Sequence, residues 1–372
     1  VTVDHLAAES FHSAVEKALG AVDLVAGVPC SLLAPWLRDL DTLVPQHILS
    51  TNEGEAVAVA AGARLTGKRS AVYLQNSGLG NAVNPLTSLA ATFGVPLLLV
   101  VGYRGRPGTS DEPQHRLMGA ATEGVLDAIG VGHTVVEDHD SLLAATEEAA
   151  QSVHKGQSHA WLVPKGVFEK QRTEPSSGTL PNRRAYIELL ARLRQGHDLS
   201  VIATTGMSGR ELESIEARDE DLYMVGSMGC VPSLALGVSL GSPRTRLVVL
   251  DGDGALLMRL ESMVALARYA TVPITHVVID NGAYDSTGAQ PSLSGGVDFE
   301  GIARSVGYPS TGTADSLEKA EELLNRSLAA TAPGPHLCVL KARAGDVVPV
   351  GRPRLGPREQ GARFAASAVN AG

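Results

Sequence analysis

Residues 246–258 read RLVVLDGDGALLM. The run RLVVL is short, apolar and rich in β-branched side chains, the composition of a strand buried on both faces of a parallel sheet. Directly after it, DGDG sets one carboxylate, Asp253, between Gly252 and Gly254. Open parallel sheets bind ligands beyond the carboxyl ends of their strands. The stretch therefore reads both as a piece of an α/β fold and as the mouth of a site.

The same pattern extends outward. Helix-like HSAVEKALG, EAVAVAAGARL and TSLAATFG alternate with strand-like VDLVAGVP, SAVYLQ and VPLLLVVGY, followed by LLAATEEAAQSVHKG and AWLVPK. Such alternation predicts a parallel sheet with helices on its faces. It breaks at 171–184, QRTEPSSGTLPNRR, a polar segment with Pro and Ser that reads as a linker. It then resumes with helix-like AYIELLARLRQG, ESMVALARYA and SLEKAEELLNRSLAA and strand-like LSVIATTG, RLVVL, THVVIDN and HLCVLKA. The expectation is an α/β protein of two domains in series, 1–170 and 185–372. A chain of 372 residues fits that division, since single cores stop growing beyond about 250–300 residues.

Composition narrows the function. The 40 glycines and 20 prolines in a chain that is 44% hydrophobic suit an α/β protein with many strand-to-helix turns. A net charge of -9 without a basic run argues against nucleic acid. Cys30, Cys230 and Cys338 are far apart and form no CxxC pair, so they read as reduced thiols in a cytoplasmic protein. The start, VTVDHLAAESF, lacks a basic region followed by an apolar one, and the apolar run at 95–101 is too short to span a bilayer, so no membrane partner is expected.

Asn281 follows THVVID, and 281 - 253 = 28 residues cover one helix and one strand, which brings Asp253 and Asn281 to one sheet edge. Two oxygen ligands of this kind, with the Ala283 carbonyl, suit a hard divalent cation that keeps other positions for phosphate oxygens and water. Gly252 and Gly254 would let the backbone approach a diphosphate. The alternative is a tight turn in which Asp253 caps the next helix.

GDG, a spacer and then Asn resemble the thiamine diphosphate fingerprint of the 2-oxo-acid decarboxylases. The resemblance implies two thiamine-diphosphate-binding domains, pyrimidine-binding then diphosphate-binding, with Mg²⁺ held by Asp253, Asn281 and Ala283. Asp280 stands where many relatives have Asn. The segment TNEGEAVAVAAGARLTGK is similar to the one carrying the glutamate that hydrogen-bonds the aminopyrimidine ring, and its distance to Gly62 points to Glu53 rather than Glu55. Ser50 and Glu53 also fit a capping box, and Asn52 stands where relatives often carry His.

Further strings extend the resemblance. NSGLGNAVNPLTSL, with Ser77, Gly78 and Asn81, is similar to the segment lining the pyrimidine side. ATTGMSGREL, with Gly206 and Ser208, resembles the segment that receives the cofactor. GSMG, with Gly226 and Met228, resembles the turn that props its bent form, while Gly252, Asp253, Gly254 and Ala255 adjoin the diphosphate. With DEPQH and NGAYDSTGAQPS, these strings are similar to the subgroup that decarboxylates 3-phosphonopyruvate to phosphonoacetaldehyde and CO₂ in phosphonate biosynthesis.

A substrate with two anionic groups needs cationic and N–H donors. Ser31, Asn81, Arg104, Arg106 and His115 are the candidates, Asp285 is a candidate for steering a proton, and residues 284–297 are a candidate lid. The tail with Arg352 and Arg354 is a second possible cover. The family resemblance also implies a homodimer or larger homo-oligomer with sites between chains. Sulfopyruvate decarboxylation is the nearest alternative, and a catalytically silent thiamine-binding subunit is another. The absence of GxGxxG after any strand argues against a nicotinamide dehydrogenase.

Overall fold

The computed structural model describes residues 5–169, 178–243, 245–345 and 350–370. The chain divides into two compact units, Val1–Arg172 and Thr173–Gly372. Much of the segment read as a linker, residues 171–177, lies outside the described residues. From Gly178 the chain is described again, and Asn182 caps a helix that starts at Arg183 by accepting from the Ala185 N–H.

The first unit runs α1 (Ala8–Leu19), β1 (Leu24–Gly27), α2 (Ala34–Leu43), β2 (Gln46–Leu49), α3 (Glu53–Leu65), β3 (Ser70–Gln75), α4 (Leu79–Pro85), β4 (Leu98–Tyr103), α5 (Pro113–Ala128), β5 (Gly132–Val135), α6 (His139–His154) and β6 (His159–Pro164). Its strands form one parallel sheet in the order β2-β1-β3-β4-β6-β5. One core packs α1, α2 and α6 on one face around Phe11, Trp36 and Trp161. The other packs α3, α4 and α5 on the opposite face around Val57, Leu79 and Leu126. The helix-like run TSLAATFG continues α4 as a π-helical stretch over Leu86–Ala91. Pro85 sits inside α4 and has no N–H to give to the ladder, which is where the winding widens.

The second unit runs α7 (Arg183–Leu193), β7 (Ser200–Ala203), α8 (Met207–Ile215), β8 (Leu222–Tyr223), α9 (Val231–Gly241), β9 (Leu247–Gly252), α10 (Asp253–Met258), α11 (Ser262–Tyr269), β10 (Pro273–Asp280), the short hairpin β11 (Ala283–Tyr284) and β12 (Gln290–Pro291), α12 (Phe299–Val306), β13 (Ser310–Ala314), α13 (Leu317–Leu328), β14 (Gly334–Lys341) and α14 (Pro357–Asn370). Its main sheet is parallel, in the order β13-β14-β10-β9-β7-β8. Two cores again cover its faces, one around α7 and α13 and one around α9, α11 and α12. The expected fold class is therefore the observed one: two six-stranded parallel sheets, each flanked by helices. Among the described residues no helix is long and apolar enough to cross a membrane.

Interior strands were legible and edges were not. The runs read as strands became β1, β3, β4 and β6, then β7, β9, β10 and β14, all flanked on both sides in their sheets. The four edges, β2 (QHIL), β5 (GHTV), β8 (LY) and β13 (STGTA), are short and largely polar or half-exposed. Edge strands have only one partner and are commonly blunted in this way.

The sheet orders fix where ligands can bind. Strand order reverses between β1 and β3 in the first unit and between β7 and β9 in the second. At such switch points the connections leave in opposite directions and open a crevice at the carboxyl ends. Ser31 follows β1 and Ser77 follows β3; Gly206 follows β7 and Asp253 follows β9.

Candidate active site

In the first unit the crevice is organised by a carboxylate and an asparagine. Glu53 opens α3 and is buried, 4% exposed. The helix is capped by Asn52, whose side chain accepts from the Gly54 N–H. The Ser50–Glu53 capping box does not form, since Ser50 Oγ is buried without a hydrogen-bond partner. It is Glu55 that reaches back, accepting from the Thr51 N–H and hydroxyl at 2.8 and 2.9 Å. Glu53 is thereby left for another use. Asn81 Nδ2 in α4 donates to its Oε2 at 2.7 Å. Gly78 lies beneath it so closely that a Cβ there would sit 1.9 Å from Glu53 Oε1.

Beside it, Asn76 ties the ends of β3 and β4 together. Its Nδ2 donates to the Arg104 carbonyl at 2.8 Å and its Oδ1 accepts from the Arg104 N–H at 3.1 Å. Arg104 then forks Asp111 through Nε at 2.7 Å and Nη2 at 2.5 Å, while Nη1 reaches Ser31 Oγ at 3.4 Å. Burial alone would raise the Asp111 carboxyl; the Arg104 fork and the N–H groups of Glu112 and Gly105 outweigh it and hold Asp111 well below the usual carboxylate range. Burial pushes the neighbouring Cys30 thiol up to about 11, as expected of an inert core residue.

Of the candidate anion contacts, Ser31 and Arg104 therefore meet, and Asn81 instead holds Glu53. Arg106 pairs with Glu137, and His115 is buried near the start of α5. Ser77 is exposed and accepts from Gln75.

In the second unit Asp253 is the first residue of α10 and 3% exposed. The N-cap is Gly252, with no side-chain capping bond, so the capping alternative for Asp253 does not hold. Ser292 donates to Asp253 Oδ2, and Ser294 donates to Asp280 Oδ1 at 2.6 Å. Burial pushes Asp253 up to about 6, against the pull of the Ser292 hydroxyl and with a further rise from Asp280. Asp280 itself is buried and paired with Lys341, which compensates a carboxylate in that position.

Asn281 follows β10, and Ala283 begins the hairpin. Gly254 packs against Tyr284, whose ring a Cβ would meet at 2.3 Å, so its close approach is to a side chain of the hairpin. At Gly252 the nearest group beyond its chain neighbours that an added Cβ would meet is the Ile279 carbonyl, 4.0 Å away. Gly206 caps α8 and Ser208 is buried in its first turn, where free N–H groups favour an anion. Gly226 and Met228 are half-buried. Ser227 before Met228 has φ 52° and Gly229 after it φ 83°, so the methionine sits in a turn with left-handed backbone on both sides, costly only at the serine. Ala255 is buried in α10. Arg354 in the tail donates its N–H to Glu213 of α8 at 2.9 Å.

The donor set suits a hard cation: one buried carboxylate, one amide oxygen and a backbone carbonyl. Among the described residues no three His, Cys, Asp or Glu side chains gather to hold a metal alone. A cation here would complete its shell from the cofactor and water.

Sequence reading missed Asn76, Asp111, Arg183, Glu211, Ser292 and Lys341. Asn76, Asp111, Glu211 and Ser292 lie within strings already singled out. Arg183 and Lys341 had no local signal.

Each unit carries its own switch-point crevice, one beside the buried Glu53 and one beside Asp253 and Asn281. Residues 11–127 match the family model "Thiamine pyrophosphate enzyme, N-terminal TPP binding domain", and residues 211–340 match its C-terminal TPP binding domain. The chain is 40% identical over 366 residues to phosphonopyruvate decarboxylase of Streptomyces viridochromogenes, covering 93% of this chain and 91% of the relative. It is 38% identical to the enzyme of the same name from Streptomyces hygroscopicus, covering 92% and 90%. Sulfopyruvate decarboxylase of Methanosarcina acetivorans is 29% identical, covering 82% and 84%. The chain belongs to the phosphonopyruvate decarboxylase family of thiamine pyrophosphate enzymes, which are carboxy-lyases.

Proposed function

We propose that this chain decarboxylates 3-phosphonopyruvate to phosphonoacetaldehyde and CO₂, using thiamine diphosphate and Mg²⁺, as a step of phosphonate biosynthesis. The observation that carries the chemistry is Glu53, a buried carboxyl gripped at one oxygen by Asn81 and packed on Gly78. Thiamine diphosphate, when bound, supplies the electron sink for loss of CO₂. The protein supplies the rest. Glu53 would face the aminopyrimidine ring with Oε1, while Oε2 stays with Asn81. Asp253, Asn281 and the Ala283 carbonyl would hold the cation, and the first turn of α8 would offer N–H donors to the diphosphate. Arg104 and Ser31 meet one anionic end of the substrate. Asp111 matches the charge of Arg104, so Arg104 acts there chiefly through its fixed N–H directions.

Identities of 40% and 38% to two phosphonopyruvate decarboxylases, against 29% to a sulfopyruvate decarboxylase, favour the phosphonate. Three free cysteines suit a cytoplasmic location. Glu53 and Asp253 belong to different units, and the family resemblance draws the two from different copies, so a homodimer is the smallest competent unit.

The test is a coupled assay of aldehyde and CO₂ release from phosphonopyruvate and sulfopyruvate, side by side, on the parent and on Glu53→Gln. Phosphonopyruvate should be turned over faster, and the substitution should nearly abolish it. Preference for sulfopyruvate would transfer the assignment to that acid, and turnover of neither with cofactor bound would favour the silent subunit.

A further inference from the structure

Asp285 is not free in its loop. Its side chain is 5% exposed, and Oδ2 accepts from Asn281 Nδ2 at 2.7 Å and from Arg183 Nη1 at 2.5 Å. Its Oδ1 accepts from the Gly345 N–H at 3.1 Å. Arg183, the first residue of α7, is itself buried and forks Glu211 of α8 through Nε at 3.0 Å and Nη2 at 3.1 Å. The chain of contacts thus runs from α8 through α7 to the end of β10.

We propose that Arg183 and Asp285 are positioning residues for the cation site, holding the Asn281 amide with its oxygen turned toward the metal. The inference rests on Asn281 being a metal ligand. A side-chain amide has a donating and an accepting end, and a carboxylate facing it accepts, so the nitrogen points at Asp285 and Oδ1 away from it, where one lone pair meets the Ala283 N–H at 3.3 Å and the other is left for a cation. Asp285 can serve as that reference only if its own direction is fixed. The guanidinium fixes it, and the planar fork on Glu211 fixes the guanidinium in turn. Both oxygens of Asp285 are engaged by donors, so its part in the reaction runs through Asn281 and not through a proton at the reacting carbon. This is an alternative to the reading of Asp285 as a proton-steering group. Outer partners that orient metal ligands tune affinity in the same way at other metal sites.

The test is the Mg²⁺ dependence of thiamine diphosphate binding by the full chain, measured by calorimetry alongside melting temperature. The variants are Asp285→Asn, Arg183→Lys, Asn281→Ala and the Asp285→Asn/Asn281→Ala pair. Loss of such an outer partner weakens metal affinity by about 10–100-fold, so Asp285→Asn should raise the Mg²⁺ half-saturation about tenfold or more. Arg183→Lys keeps the charge and loses the fork, and should shift it in the same direction by less; it decides the matter alone if Asp285→Asn fails to fold. In the Asn281→Ala background Asp285→Asn should add almost nothing, because the two act as one unit. Parent-like Mg²⁺ dependence in Asp285→Asn, or in Arg183→Lys where that variant decides alone, or full additivity in the pair, overturns the inference and leaves the metal reading standing. Parent-like Mg²⁺ binding by Asn281→Ala would instead remove the metal reading itself.

Discussion

Glu53 and Gly78 form the tightest sterically defined pair of the candidate site. A Cβ at position 78 would lie 1.9 Å from Glu53 Oε1 and 2.2 Å from its carboxyl carbon, so Gly78→Ala must move the glutamate or the turn beneath it. Overpacking of this kind costs about 1–3 kcal/mol, which a unit with two extended cores should survive. The expected result is a folded variant with a melting temperature lowered by a few degrees, about the shift such a cost produces, and turnover reduced at least about tenfold, the scale set by a misplaced proton-handling group. Parent-like turnover with a lowered melting temperature would mean that the exact seat of Glu53 is unimportant. The family resemblance points to Glu53 rather than Glu55 through the spacing to Gly62, and the fold buries Glu53 while Glu55 is taken up by Thr51 at the helix start. Arg183 was not legible: its partners Glu211 and Asp285 stand 28 and 102 residues away, and only the return of the chain to one sheet edge joins them.

Among elements, the connection from β4 to α5 is fastened internally by the Arg104–Asp111 ion pair, which can be tested by pH. Asp111 is held below the ordinary carboxylate range, so its contribution to stability is complete above the unfolded value near 3.9 and is lost as pH falls below it. The gap in melting temperature between the parent and Asp111→Asn should be widest at neutral pH and close steadily below about pH 4. Melts from pH 7 to pH 2.5 measure it; a gap constant with pH would show that the loop depends on the shape of Asp111 and not on its charge. The elements that carry these loops were readable because central strands are buried on both faces and largely apolar, as LLVVGY and the VVI of PITHVVID are. Polar edge strands and the hairpin at 283–291 carry no such demand and were invisible until pairing was seen.

At the scale of the molecule, the proposed site takes Glu53 from one copy and Asp253 with Asn281 from another, and mixing makes that testable. Glu53→Gln and Asp253→Ala are each expected to be nearly inactive as homodimers. If the two variants exchange subunits at random, half the dimers are mixed, and each mixed dimer holds one site with both residues intact and one with both replaced. Mixing should then restore about a quarter of the parent's turnover per site, a consequence of two-fold symmetry alone. A site built within a single chain would leave every site damaged at any mixing ratio. Recovery must also decline on dilution below the dimer's dissociation constant, because assembly is then linked to concentration. Recovery that ignores dilution would indicate a larger or more permanent assembly, whereas no recovery despite demonstrated subunit exchange would sink the shared site.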